Sequence, residues 1–419
     1  MTGARPAVEF LFSLERFGMK FGLENIATLC AALGDPQDTF RSIIVAGTNG
    51  KGSVTAMVDA ALGAAGHASA RYTSPHLQRL EERFVIGGAE VSPGALEASA
   101  ERIRQAVDAL VGAGDLPSLP TFFECTTAVA FDLFREARVE IAVLEVGLGG
   151  RLDSTNIVSP IAAAIVSIDF DHEEQLGSTL ASIAAEKAGV IKPGIPVVCG
   201  PLPAEALTVI AAVCAEQRAT LIRTEGDAAL AARVASMPIG LRGGHQQANA
   251  AVALRLLDAV HEDGVRGVRV PEHAMRAGLA TAVWPGRLES FTARSCEILL
   301  DAAHNPAGAR ALASYLEAAF PAGVTLVFGA MRDKALREML GALLPAAAAI
   351  VCTTAPSPRA MPAAELAAVV GGLGSRADVV PDPIAAVARA CERGRPVVVA
   401  GSIFLIGPVR EWLERDILR

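Results

Sequence analysis

Short, wholly apolar runs alternate along this chain with longer stretches whose apolar groups recur at helical spacing. The first kind reads as strands buried on both faces, the second as helices packed over them. Ser42–Ala46, Ile141–Val146, Ile161–Ile168 and Pro196–Cys199 are runs of the first kind. Residues 8–35, Val54–Leu62, 93–112, Thr121–Arg135 and 179–188 carry the helical pattern. Ser92-Pro93 opens one of these helices with an N-cap and a proline at the first helical position. Around Trp284-Pro285-Gly286-Arg287 the rhythm breaks and restarts, with strands at 296–300, 324–328, 349–353, 377–380 and 396–400. Helices at 307–319, 362–370 and 383–393 stand between them. Such alternation predicts an α/β protein of mostly parallel sheets flanked by helices. The break at about 285–295 divides it into domains 1–288 and 289–419.

Ligands on such sheets collect at the carboxyl ends of the strands. The residues following each apolar run therefore carry the candidate chemistry, and four strand ends of the first domain supply Lys51, Ser74, Glu145 and His172. Gly47-Thr48-Asn49-Gly50-Lys51-Gly52-Ser53 lies between the first strand and a helix. A strand, a glycine-rich turn and a helix N-terminus make an anion cradle, because backbone N–H groups point into the turn and the helix dipole adds positive charge. In that setting Gly50, Lys51, Gly52 and Ser53 hold nucleotide phosphate, with Lys51 on the outer phosphates and the Ser53 hydroxyl on Mg²⁺. The spacing departs from the usual phosphate loop, since Gly52 separates Lys51 from Ser53. The competing reading, a glycine-rich turn with a solvated lysine, fits the flanking strand and helix less well.

Glu145 ends a wholly apolar run, where an unpaired carboxylate is costly to bury. Mg²⁺ beside the phosphate loop removes that cost, since it favours one or two carboxylates together with phosphate oxygens. A capping or salt-bridged glutamate is the alternative. His172 stands at a neighbouring strand end and is read with Glu145 rather than as a structural histidine. Lys187 is a weak signal by itself, because the helix dipole favours lysines near a C-terminus. Arg287 either clamps phosphate at the domain junction or is a linker arginine. Asp301 and His304 follow a strand of the second domain, and Asn305-Pro306 reads equally as turn chemistry.

Composition narrows the classes. With 419 residues, 52% of them hydrophobic and 20% charged, the chain is long enough for two or three folded domains. Its mean hydropathy of +0.39 raises the question of membrane spans. No apolar stretch approaches the roughly 20 residues needed to cross a bilayer. Residues 1–10 lack a signal-peptide core, so a cytoplasmic, non-membrane protein is expected. Seven scattered cysteines without a CxxC pair argue against disulfides or a zinc cluster. The net charge of −8 and the absence of Lys/Arg runs argue against nucleic acid as a partner.

The ordered set of motifs resembles the folylpolyglutamate synthase/dihydrofolate synthase family, a branch of the Mur-ligase superfamily of ATP-dependent amide ligases. The matching segments are Gly47–Ser53, Tyr72-Thr73-Ser74-Pro75-His76-Leu77, Glu145–Asn156, Asp171-His172 with Leu176-Gly177, and Glu186-Lys187-Ala188-Gly189. Gly244-His245-Gln246 with Asn249, Pro285-Gly286-Arg287, Asp301–Pro306 and Gly401-Ser402 continue the series in the family's order. The resemblance implies a P-loop ATPase domain followed by a smaller Rossmann-like domain, with ATP between them. It implies two Mg²⁺ ions held by Ser53, Ser74, Glu145, His172 and a carbamylated Lys187. It places Asn249, Arg287 and Asp301 on ATP, and Thr121, Phe122, Phe123, Glu124, Leu152, Asp153 and Ser154 on the pterin. It puts His304 and Ser402 near the incoming glutamate. A monomer acting on dihydropteroate or tetrahydrofolate, L-glutamate and ATP is expected.

The implied chemistry is phosphoryl transfer to a substrate carboxylate, giving an acyl phosphate that the glutamate amine then attacks. Two rivals remain. A Mur-type peptidoglycan-precursor ligase shares the phosphate loop and the lysine. A nucleotide switch leaves the second domain without a role, and its guanine-reading Asn-Lys-x-Asp is absent.

Overall fold

The computed structural model describes residues 5–18, 20, 22–116, 118–262, 267–293 and 296–417. It divides into two compact units, Met1–Gly240 with Gln247–Val283, and Leu241–Gln246 with Trp284–Arg419. Trp284–Leu288 thus joins the second unit, whereas the domain limits drawn from sequence place it in the first. The reason is local hydrogen bonding: Ala302 N–H donates to Gly286 O at 2.8 Å and Leu288 N–H to Asp301 Oδ2 at 3.0 Å.

The first unit is built on strands β1 (Arg41–Ala46), β2 (Ser69–Tyr72), β3 (Phe84–Ile86), β4 (Ala89–Glu90), β5 (Ile141–Glu145), β6 (Ala162–Ile165), β7 (Pro196–Cys199) and β8 (Thr220–Arg223). They form one sheet in the order β4-β3-β2-β5-β1-β6-β7-β8. From β2 to β8 all neighbours are parallel, and β3 and β4 add an antiparallel edge. The sheet is buried on both faces, which is why its strands read as unbroken apolar runs. Tyr72, Ala142 and Leu144 pack with helices Pro6–Ser13, Glu24–Ala32, Pro93–Ala113 and Phe122–Glu136. On the other side Ile44, Ala163, Ile165 and Val197 pack with helices Leu180–Ala188 and Ala204–Glu216.

In the second unit β9 (Glu289–Ala293), β10 (Cys296–Asp301), β11 (Val324–Phe328), β12 (Ala347–Cys352), β13 (Asp378–Val379) and β14 (Val397–Ala400) take the order β13-β12-β11-β14-β10-β9. Only β9 runs antiparallel to its neighbour. Helices Pro306–Ala319, Leu336–Leu343 and Ala363–Gly371 cover one face.

Three local differences from the sequence reading have simple causes. The helical pattern of 8–35 is cut into Pro6–Ser13, a 3₁₀ turn Leu14–Phe17 and Glu24–Ala32, because Gly18 and Gly22 take positive φ. Positions 19 and 21 of that stretch lie outside the described residues. The helix after the phosphate loop begins at Lys51 rather than Val54, because Gly50 caps it in the left-handed region. β6 stops at Ile165: Val166 N–H still donates to Ala46 O at the end of β1, and Ser167 accepts from Thr48 N–H in the loop that follows it. No described helix is long and apolar enough to cross a membrane.

Candidate active site

β1 lies at the centre of the first sheet, and its carboxyl end feeds residues 47–50 into helix Lys51–Ala64. Gly47 and Gly50 have φ of +152° and +84°, conformations that favour glycine. A side chain on Gly50 would also lie 2.4 Å from Asn249 Oδ1 and 2.8 Å from Val166 Cγ1. Asn249 therefore sits directly against the loop. The turn is fixed from the neighbouring strand: Thr48 N–H donates to Ser167 O at 2.8 Å, Asn49 N–H to Ser167 Oγ at 2.9 Å, and Asp169 N–H to Thr48 Oγ1 at 3.1 Å. Ser53 is buried in the first turn of the helix, and Gly52 beside it is buried as well.

Two ammonium groups converge on one carbonyl. Lys51 Nζ donates to Gly47 O at 3.0 Å and to Thr48 O at 3.2 Å, and Lys187 Nζ donates to the same Gly47 O at 3.0 Å. Lys187 is only 4% exposed. Burial, reinforced by the Lys51 charge, holds its amine down at about 7, with Asp171 and Asp153 pulling the other way. Two amines, one of them buried, beside the N-terminus of helix Lys51–Ala64 suit an anionic ligand.

The candidate metal ligands Glu145, Ser74 and His172 stand at or beyond the ends of β5, β2 and β6. Glu145, buried at the end of β5, is in register with Val45 on β1. Ser74, which follows β2, donates its N–H to Glu145 Oε2 at 3.2 Å. His172 caps the short helix Glu173–Leu176 in the loop beyond β6, with its side chain 43% exposed and Nε2 3.9 Å from Asp171 Oδ1. Among the described residues no three His, Cys, Asp or Glu side chains form a ready-made metal cage.

Residues 147–156 run from β5 onto helix Leu180–Ala188. Arg151 N–H donates to Glu186 O at 2.8 Å, and Asn156 Nδ2 donates to Arg151 O and Gly189 O, both at 3.0 Å. This contact orients Lys187. Asp153 is buried and accepts from Leu148 N–H at 2.9 Å, Thr155 N–H at 3.0 Å and the Thr155 hydroxyl at 2.6 Å. Burial raises its carboxyl above the usual range, and these hydrogen bonds oppose the rise. Ser154 is buried and Leu152 half-buried beside it.

Thr121 and Glu124 form a capping box at the start of helix Phe122–Glu136. Thr121 N–H donates to Glu124 Oε2 at 2.6 Å, and Glu124 N–H donates to Thr121 Oγ1 at 3.1 Å. Their polar groups serve the helix end, which aims the two aromatic rings between them. Phe123 packs on Gly147, where an added Cβ would meet its ring at 2.6 Å, and it stacks on Tyr72. Phe122 stacks on Phe12 with ring centres 5.6 Å apart.

In the second unit the tip of β10 carries Asp301, whose carboxylate accepts from Leu288 N–H at 3.0 Å and Ala303 N–H at 2.9 Å. Burial pushes its carboxyl up, and the nearby Arg287 guanidinium pulls it down. His304 Nδ1 lies 2.9 Å from Ala302 O. Gly401 N–H donates to Ala303 O at 3.0 Å, which fixes buried Ser402 next to this turn. Ser402 Oγ accepts from Phe404 N–H at 3.2 Å.

Residues 286–403 match the Mur ligase glutamate ligase domain family. The chain is 33% identical to the dihydrofolate synthase/folylpolyglutamate synthase of Bacillus subtilis, covering 99% of this chain and all of that one. It superposes on the Mycobacterium tuberculosis folylpolyglutamate synthase complexed with ADP and AMPPCP with a TM-score of 0.88, at 32% identity over 98% of this chain and 99% of the other. The Yersinia pestis bifunctional enzyme complexed with AMPPNP and Mn gives a TM-score of 0.83, at 31% identity, covering 99% and 98%.

The chain belongs to the folylpolyglutamate synthase/dihydrofolate synthase family. It is accordingly an ATP-dependent ligase. Three side chains near the candidate site residues carry no role in the sequence-based assignments. Arg83 and His76 lie against Phe122 and Phe12, with Arg83 Nε donating to His76 Nδ1 at 2.9 Å. Burial, and then the Arg83 charge, holds His76 down at about 4. In sequence, the Glu-Glu-Arg-Phe run containing Arg83 looks like an exposed charged turn, and only the β2–β3 pairing turns the arginine inward. His245, whose imidazole is held down by burial and raised by Asp301, is the third. Both histidines stand within family-like motifs, Tyr72–Leu77 and Gly244–Gln246.

Proposed function

We propose that this chain joins L-glutamate to dihydropteroate, to the glutamate tail of tetrahydrofolate, or to both, with ATP consumed to ADP. The observation that carries the reading is the convergence of Lys51 and Lys187 on the Gly47 carbonyl, beside the strand tip that presents Glu145. The loop N–H groups and the helix N-terminus take the phosphates. Lys51 then turns from its backbone carbonyls to the outer phosphates and spreads the charge that develops as the substrate carboxylate attacks. The acyl phosphate so formed is attacked by the amine of glutamate, which releases phosphate and leaves an amide.

A divalent cation fits the donor set, which is mostly oxygen and therefore hard: the Glu145 carboxylate, the Ser53 and Ser74 hydroxyls, and a carbamate on Lys187, with His172 the one nitrogen. Bound there, it supplies charge neutralisation and orientation for the phosphates. Carbamylation of Lys187 adds CO₂ to the neutral amine and releases one proton. With its amine held near 7, the neutral form predominates above that pH. Asn249 in the first unit, and Arg287 and Asp301 in the second, are assigned to the nucleotide. Phe122, Phe123, Leu152 and Asp153 are assigned to the pterin-bearing substrate, with Thr121, Glu124 and Ser154 shaping the surface. His304 and Ser402 are assigned to glutamate. The reading includes monomeric action in the cytoplasm.

The deciding assay measures ADP release with ATP and glutamate plus, separately, dihydropteroate, tetrahydrofolate and a muramyl nucleotide. Turnover with either or both pterin compounds is expected. ADP formed only with the muramyl nucleotide would overturn the folate reading.

A further inference from the structure

Among the described residues Arg83 is the only arginine counted as buried, with 6% of its surface exposed. Other inward-turned arginines of the first unit meet a carboxylate: Arg71 meets Asp59 at 2.9 Å, Arg102 and Arg135 meet Asp132 at 2.6 Å, and Arg5 meets Glu81 at 2.7 Å. Arg83 has no carboxylate within 4 Å among the described residues. Its guanidinium lies 5.1 Å from the ring centre of Phe122, and its Nε is spent on His76. The guanidinium also bonds the Tyr72 hydroxyl, a neutral group shared with Thr126 at 3.0 Å and Thr127 at 3.3 Å. A desolvated charge without a counter-ion is costly, and it persists where a ligand brings the opposite charge.

The backbone fixes where that ligand group would lie. Thr73 N–H donates to Arg83 O at 3.0 Å, and the next residue, Ser74, donates to Glu145. The fields of Glu15 and Glu145 reach the guanidinium, and neither carboxylate forms an ion pair with it. Arg83 thus belongs both to the aromatic wall of Phe12, Phe122 and His76 and to the strand tips facing the phosphate loop.

We infer that Arg83 is the clamp for the substrate's own carboxylate, the group to be activated, which it holds beside Phe122 and near the tip that carries Glu145. The planar guanidinium suits this task, since it pairs with a carboxylate through two parallel N–H donors and fixes its orientation. The inference rests on the folate-ligase reading and adds to it the residue that selects for an acid at the reacting end.

The test is equilibrium binding of dihydropteroate and of its carboxamide, in which the carboxylate is replaced by a neutral amide, to the full chain. The wild-type protein should prefer the acid by roughly tenfold, the scale of one charge-assisted pair. Arg83→Gln should erase that preference by weakening the acid alone, while binding of AMPPNP stays unchanged. Arg83→Lys, which keeps the charge but not the fork, should retain part of it, and it decides the matter if Arg83→Gln also loses AMPPNP. Equal weakening of acid and amide would make Arg83 a mere support for the aromatic wall and overturn the inference, as would an undiminished preference for the acid. Wild-type protein that binds neither compound would instead defeat the folate reading, and this inference with it.

Discussion

The proposed chemistry rests on single side chains, most of them at strand tips. Lys51 is the only one of the two converging lysines that lies within the phosphate loop, so Lys51→Ala should lower ADP-forming turnover on the order of 10²–10³-fold or more. A steady-state assay that finds near-wild-type turnover would remove its assignment to the outer phosphates. Lys187→Ala should be similarly inactive, yet partly restored by added short carboxylic acids that occupy the carbamate's place. Labelled bicarbonate should give a carbamate signal in the wild type and none in the variant, and full activity without rescue would sink the carbamate role. The cysteines behave oppositely. Burial pushes the thiols of Cys30, Cys199 and Cys352 up to about 12, so at neutral pH they hold almost no thiolate. In the folded protein an alkylating agent should leave these three unmodified over times in which half-buried Cys391 reacts, and urea should expose all of them. Rapid native labelling of Cys199 would contradict the burial described for β7.

At the level of elements, each tip residue is aimed by a specific turn. The capping box of Thr121 and Glu124 directs Phe122 and Phe123, and the contact of residues 151–156 with helix Leu180–Ala188 directs Lys187. The phosphate loop is the most constrained of these turns. Gly50→Ala forces a positive φ on a residue with a Cβ and drives that atom into Asn249 and Val166. A loss of about 1–3 kcal/mol in unfolding free energy is expected, together with loss of nucleotide binding. Denaturant titration and AMPPNP binding check both, and a variant that binds AMPPNP as the wild type does would show that the loop tolerates relaxation. The elements themselves were legible where the periodicity was strong. Helix Pro93–Ala113 has Ser92 as its cap, and β5 ends at Glu145, one residue short of the run Ile141–Val146. The short β3 and β4 and helices Ala228–Ala235 and Leu336–Leu343 were not read, because they are brief and owe their form to what they pack against.

At the scale of the whole molecule, the two sheets are autonomous layers, each with its own apolar core. No cluster of acids and histidines among the described residues ties the fold to a metal. Chelation should therefore abolish ADP release while leaving the unfolding transition in denaturant nearly unmoved, and Mg²⁺ or Mn²⁺ should restore turnover. A cooperative loss of structure on adding chelator would show that the ion is part of the fold and would overturn the oxygen-donor site proposed at the strand tips.

What the chain determined by itself was the α/β class, the phosphate loop between β1 and its helix, and the family, because these depend on apolar periodicity and on contiguous motifs. The tertiary structure alone decided that Lys187 reaches the Gly47 carbonyl 140 places away, where Lys51 also donates, and that Arg83 turns inward. It also decided that Trp284–Leu288 belongs with β10. Each of these follows from strand order and from hydrogen bonds between distant segments. Sequence periodicity records which face of an element is buried, and it carries no record of the neighbour that buries it.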